Sequence, residues 1–286
     1  MRSLRGFLGA CSLTAAMVAS PGLRAEANAT VDTRHVPMKL WYDEPAEIWM
    51  TEALPIGNGP MGAMLFGGTD LERIQFNEIS LWSGDRVAPK GSLLGETLEE
   101  EEQNLGAHQA FGDIFIQLGH EPEKVTGYRR ELDLDRGVHT VSYDYEGVHY
   151  TQTAFGNHPS GVLVVQLSAD KAGSCSGRLW LTDMHDAEIS MANHRFTAVG
   201  KMPNGFEYEA QLQVLHEGGE LKRAKPENNL RIPMPPQGLS FEKCDRITLV
   251  LGAGTNFLQD HTKEWLGEHP HQRVSRQVTA AAKKGY

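Results

Sequence analysis

Several groups in the sequence combine residue types and spacings that could do chemistry. Gly57-x-Gly59-x-x-Gly62, inside "LPIGNGPMGAMLFGG" (54 to 68), has the spacing of a dinucleotide-binding fingerprint. Glu78 falls about 20 residues further on, where a ribose-binding carboxylate would sit. "LTDMHDA" sets Asp183, His185 and Asp186 together, the acid–base part of a hydrolytic triad. "ELDLDR" carries Glu131, Asp133 and Asp135, and "EHPHQ" carries Glu268, His269 and His271, a carboxylate beside two imidazoles. "QFNEISLWSGDR" crowds Asn77, Glu78 and Trp82, a set that could hold a sugar: the indole stacks on an apolar sugar face and the polar pair bonds its hydroxyls.

Most of these groups lack the surroundings their chemistry requires. A dinucleotide turn needs a strand before its first glycine and a helix after it, because the free N–H groups of the helix N-terminus hold the pyrophosphate. Here Pro45 and Pro55 precede the motif, and only six residues separate Pro60 from the Gly67-Gly68 breaker. Met61 to Phe66 is therefore read as a short buried strand between glycine turns, with no nucleotide cofactor. No serine elbow accompanies Asp183 and His185. Alternation puts Glu131, Asp133 and Asp135 on one strand face, with Leu132 and Leu134 on the other, which describes a solvated face and not a catalytic pair. The two histidines have no third ligand at helical or loop spacing, so no metal site is expected. Asn77, Glu78 and Trp82 keep two readings: contacts to a sugar, or hydrogen bonds that fix a loop or a domain contact. Asn58, and more weakly Trp41 and Trp49, join them.

The elements around these groups read mostly as strand. In "VHTVSYDYEGVHYTQTAF" (138 to 155), Val141, Tyr143 and Tyr145 alternate with polar residues up to a Glu146-Gly147 turn. That register sets Tyr145 opposite Val148 and Tyr143 opposite Tyr150. Further strands are expected at 161 to 170, 177 to 183 and 246 to 254, with a hairpin over 195 to 221 tipped by Pro203-Asn204-Gly205. Residues 223 to 240, with four prolines, read as a long connection. Strands at this spacing with glycine turns predict a mainly β fold, an antiparallel β-sandwich and not βαβ units. "HQRVSRQVTAAAKKGY" (271 to 286) is suited to helix.

The N-terminus reads as an export signal at residues 1 to 25: Arg2 and Arg5, an apolar region from Gly6 to Ser20, then small residues with cleavage sites after Ala25, Ala27 or Ala29. The apolar segment is too short to span a bilayer. Leu8-Gly9-Ala10-Cys11 has the form of a lipoprotein box but only about four apolar residues before the cysteine, so an ordinary exported protein, periplasmic or extracellular, is the reading. Loss of Arg2, Arg5 and Arg24 takes the formal charge from −10 to about −13. A chain this acidic is unsuited to nucleic acid or anionic membranes. Cys175 and Cys244 remain, and could form a disulfide or stay as buried thiols.

Residues 40 to 86, "LWYDEPAEIWMTEALPIGNGPMGAMLFGGTDLERIQFNEISLWSGDR", resemble the opening of glycoside hydrolase family 95, the α-L-fucosidases. Matches continue in order at "AFGDIFI" (110 to 116), "YRRELDLDRGVHTVSY" (128 to 143) and "LVLGAGTNF" (249 to 257), about 220 residues in all. The resemblance implies an N-terminal sandwich of the super-sandwich type over 37 to 262 and the start of a linker helix over 271 to 286. In the family an (α/α)6 barrel follows and carries the active site. The reaction there is inverting hydrolysis of α-linked L-fucose, with a glutamic acid as general acid and an aspartate activating water across a gap of about 6.5–9.5 Å. The sequence stops at Tyr286, so the barrel is expected to be missing and no family catalytic position maps onto this chain. The implied role is a non-catalytic sandwich, with fucosylated glycans as partners of the intact enzyme. The alternative is a stand-alone carbohydrate-binding module.

Overall fold

The structure, a computed structural model, describes residues 38–84, 106–227 and 232–285. Residues 1 to 25, read as an export signal, with Cys11 among them, and the acidic block at 95 to 104 lie outside the described residues. Among the described residues, sixteen strands run in chain order: β1 Lys39–Tyr42, β2 Leu54–Gly57, β3 Met61–Leu65, β4 Leu71–Glu78, β5 Gly112–Gln117, β6 Thr126–Asp133, β7 Val138–Tyr145 and β8 Val148–Asn157. Then come β9 Val162–Ala169, β10 Cys175–Asp183, β11 Glu188–Ala192, β12 Arg195–Lys201, β13 Glu207–Glu217, β14 Glu220–Ala224, β15 Gly238–Cys244 and β16 Arg246–Thr255. One α-helix, α1 His271–Lys284, follows.

The strands make two antiparallel sheets. One has nine strands in the order β1-β6-β7-β8-β9-β16-β13-β12-β11, the other seven in the order β14-β15-β10-β5-β4-β3-β2. Alternation decides what lies between them. On β4, Glu72, Ile74, Phe76 and Glu78 are buried while Leu71, Arg73, Gln75 and Asn77 are half-buried. Ile74 and Phe76 meet Leu179, Leu181, Tyr208, Leu212 and Leu249 in one continuous core. Burying such side chains stabilises by about 1.5–3 kcal/mol each. The β7–β8 hairpin has the expected register, Tyr143 opposite Tyr150 and Tyr145 opposite Val148. Glu146 and Gly147 both take positive φ (50° and 74°), the backbone a two-residue turn between twisted strands requires.

Both outer faces are partly covered, which explains the strands that are apolar throughout. α1 lays Val274, Val278 and Ala281 on Val162, Val164 and Val250 of the nine-stranded sheet. It sits so close that a Cβ at Gly252 would come within 2.7 Å of Val278. On the other sheet, Met234 covers Trp180 and Phe115. The expected connection over 223 to 240 is thus shorter than read: β14 takes its start and β15 its end, and Ile232 and Met234 between them pack as a cover.

Three sequence readings change. Leu134 lies beyond the end of β6 and is exposed, so it does not share a buried face with Leu132. Glu131 and Asp133 are not simply solvated: Lys39 of β1 pairs with both, at 2.5 and 3.8 Å. Residues 161–170 and 177–183 are joined through a turn as expected, but the chain changes sheets there, β9 in one and β10 in the other.

Candidate functional site

The glycine-rich stretch forms the β2–β3 hairpin. Gly57 ends β2, Gly59 turns with φ 101°, and Gly62 pairs opposite Gly57 in β3. Asn58 fixes the turn: its Oδ1 accepts from Met61 N at 3.0 Å, and its Nδ2 donates to Val162 O at 3.2 Å, linking the two sheets. With only 5% of its surface exposed, Asn58 is held in the turn and against β9. The spacing that suggests a nucleotide thus serves a tight turn, and a strand follows it where a nucleotide site needs a helix.

Asn77 and Glu78 end β4 and point opposite ways. Asn77 faces Gly62 across the β3–β4 ladder, where a Cβ on the glycine would lie 3.1 Å from its Oδ1. Glu78 points inward and is 5% exposed. Its Oε2 accepts from Ser80 N at 3.0 Å and Ser80 Oγ at 2.5 Å, and Ser80 Oγ lies 2.6 Å from Thr255 Oγ1 of β16. Burial raises the Glu78 pKa above the usual carboxylate value, against the pull of the Ser80 bonds and of the Arg273 guanidinium. A raised carboxyl is what a general acid needs. Here, though, its hydrogen bonds tie a turn to the neighbouring strand.

Trp82 is the exposed member. Its indole N–H donates to Ile79 O at 2.9 Å, and its ring stands 5.8 Å from that of His108. Around it three loops meet. Asn204, at the tip of the β12–β13 hairpin, donates to Trp82 O and Gly84 O at 2.8 and 2.9 Å. Phe206, beside that tip, packs against Phe257, which stacks on Trp265. This end of the sandwich leaves Ile79, Trp82, Phe257 and Leu258 exposed on a rigidly bonded base. The structure therefore brings Glu78 and Trp82 to one end, with Asn58 in the β2–β3 turn and Asn77 on β4 beside it. Trp41 stands elsewhere, on β1, with the Arg129 guanidinium 4.5 Å over its ring.

Sequence reasoning missed Ser80, Thr255, His108 and Asn204. Asn204 carried a usable signal, since its Pro-Asn-Gly tip marked a hairpin end.

The other groups are structural. Asp183 Oδ2 accepts from His185 N, Ala187 N and Tyr208 OH, at 2.6, 2.8 and 3.0 Å, and His185 Nε2 turns to Ala110 O. His269 and His271 do find a third group, Glu209 of β13, in place of Glu268. Among the described residues no set of three or more His, Cys, Asp or Glu side chains is arranged to hold a metal ion. A recess along the exposed face of α1 is lined by that helix alone, including Gln272, Ser275, Arg276 and Thr279, and brings no carboxylate to it.

The model of the "Glycosyl hydrolase family 65, N-terminal domain" matches residues 40–100 and 86–260, most of the sandwich. The chain belongs to this family of N-terminal domains. Its relatives include Alpha-L-fucosidase 2 of Arabidopsis thaliana, 29% identical over 77% of this chain and 30% of that protein. Two proteins named Probable alpha-fucosidase A are similar as well. That of Aspergillus niger is 25% identical over 86% of this chain and 35% of its own length, and that of Aspergillus oryzae 24% over 85% and 37%. The chain thus spans about a third of the length of the curated relatives it matches. The family model and these fucosidases agree with the resemblance carried by residues 40 to 86: this is an N-terminal domain of the glycoside hydrolase kind, similar to the corresponding part of the fucosidases.

Proposed function

We propose that this chain is the non-catalytic β-sandwich part of an exported α-L-fucosidase-like enzyme, periplasmic or extracellular, acting in concert with a catalytic domain on fucosylated glycans. Its task is to pack against that domain and to lend contacts at the edge of the substrate cleft. One observation supports this above the others. The end of the sandwich holds Ile79, Trp82, Phe257 and Leu258 exposed on three mutually bonded loops. Apolar side chains on a stiff base suit a standing domain contact. Glu78 and Asn58 support that base from beneath, and Trp82 is the residue with surface to spare for substrate or barrel.

The test is self-association together with glycan titration of the purified chain. The proposal expects concentration-dependent self-association through the uncovered end, and no saturable binding of fucosylated oligosaccharides. A monodisperse chain that binds such glycans saturably would instead be the stand-alone binding module.

A further inference from the structure

Cys175 begins β10 and Cys244 ends β15, and the antiparallel ladder of these two strands sets them directly opposite one another. Opposed residues on antiparallel strands point to the same face, so both thiols enter the core between the sheets, where neither has exposed surface. Opposed Cα atoms lie about 4.5 or 5.5 Å apart according to the pair type, and both spacings fall within the disulfide range of about 4.4–6.8 Å. The ladder carries a bulge just after this pair, between Cys175 and Gly177, which turns the local backbone without breaking the pairing. Both cysteines are free thiols in the structure.

Their other interactions are weak. Cys175 Sγ reaches Asp245 O at 3.7 Å, and Cys244 Sγ reaches Glu220 O and Glu242 O at 3.9 and 3.7 Å. A thiol is a poor donor, so giving up these contacts costs little. Burial pushes the Cys175 thiol up to about 12, with Cys244 the next contributor, which again places the two groups side by side. Burial raises Cys244 as well. Once folded, the pair is closed to soluble oxidants and reductants, so its redox state is set while the chain folds.

We propose that Cys175 and Cys244 close an intramolecular cross-strand disulfide when the chain folds in the presence of a small-molecule disulfide such as oxidised glutathione. One Sγ, as thiolate, attacks the glutathione disulfide and releases one glutathione thiolate, leaving a mixed disulfide on the protein. The second Sγ, as thiolate, then attacks the protein sulfur of that mixed disulfide and expels the second glutathione. The two thiol protons pass to solvent and on to the departing thiolates. The protein dithiol is oxidised and one glutathione disulfide is reduced to two thiols. The bond staples β15, and β14 paired beyond it, to β10. This inference stands on the register alone and does not depend on the proposed function.

The test is to reduce and unfold the full chain, refold it with oxidised and reduced glutathione, then denature it in an alkylating reagent and weigh it. The expected product takes an alkyl group at Cys11 and none at Cys175 or Cys244, is lighter than the reduced chain by about 2 Da once that one alkyl group is subtracted, and yields one peptide cross-linked between Cys175 and Cys244. Cys175→Ser under the same treatment leaves Cys244 free or glutathionylated, and has no such peptide. Alkylation at both positions in soluble, refolded wild-type chain overturns the proposal, as does a product carrying a separate glutathione on each cysteine.

Discussion

His271, the first residue of α1, holds its Nδ1 3.0 Å from Oε1 of Glu209, a β13 side chain with no exposed surface. His269 Nδ1 stands 3.8 Å from the other oxygen, and Gln211 Nε2 donates to Oε1 at 2.5 Å. Pro270, just before α1, offers no side-chain cap, and Glu209 holds the helix start through the His271 ring. Glu209 thus fixes where the helix lands on the sheet.

Glu209→Ala therefore removes the anchor and leaves buried Gln211 short of an acceptor. The expected loss is about 1–3 kcal/mol, the cost of unmaking a buried hydrogen-bonded group. Denaturant melts measure it. Hydrogen exchange should show α1 amides opening more than those of the β7–β8 hairpin.

Gly252 is the second anchor. Gly252→Val puts a branched side chain where a single Cβ already meets Val278 at 2.7 Å. The overpacked helix should lift at a cost of about 1–3 kcal/mol. Val278→Ala in the same chain should restore part of that stability, which a melt of the double variant checks.

Glu72 gives a pH signature. It is buried in the sandwich, accepts from Gly68 N and Gln152 Nε2, and is pushed up to about 8 by loss of solvent, from an unfolded value of 4.5. The folded state therefore holds a proton that the unfolded state has released across that window. Stability from this group is greatest below 4.5 and falls as pH rises toward 8, by about 5 kcal/mol if the whole shift is expressed. His139 works in the opposite sense: burial lowers it from 6.5 to about 3, so its contribution is complete above 6.5 and is lost as pH falls through that range. Between pH 6.5 and 8 Glu72 acts without His139. Glu72→Gln should flatten the stability slope there, as urea melts at several pH values would record. An unchanged slope would contradict this reading.

The exposed end should respond to polarity and not to stability. Ile79→Ser should reduce self-association of the chain severalfold while the melt moves by less than about 1 kcal/mol, since the Ile79 side chain is largely in solvent. Analytical ultracentrifugation across a concentration series measures it.

Local patterns made much of the fold legible. The tyrosine ladder and its turn gave the β7–β8 register because period-two alternation and a two-residue loop leave one solution. The alternation Glu72-x-Ile74-x-Phe76-x-Glu78 also carried the fate of Glu78: it shares a face with two core side chains, so it had to be buried. The continuous apolar run of β16 showed burial on both faces but could not say that α1 supplies one cover. The meeting of Glu209 with His269 and His271 was beyond reach, because about 60 residues separate the partners and a charged residue on a strand reads as surface. The opposition of Cys175 and Cys244 was hidden in the same way, since the ladder between β10 and β15 spans the proline-rich connection.

The most direct measurement is release of fucose from an aryl α-L-fucoside by the purified chain at high enzyme concentration. Glu78, the buried carboxyl at the exposed end, is engaged by Ser80 and acted on by Arg273. The expected result is no release above the uncatalysed rate, for wild type and Glu78→Gln alike. Saturable release that Glu78→Gln abolishes would contradict the account and make this sandwich an enzyme in its own right.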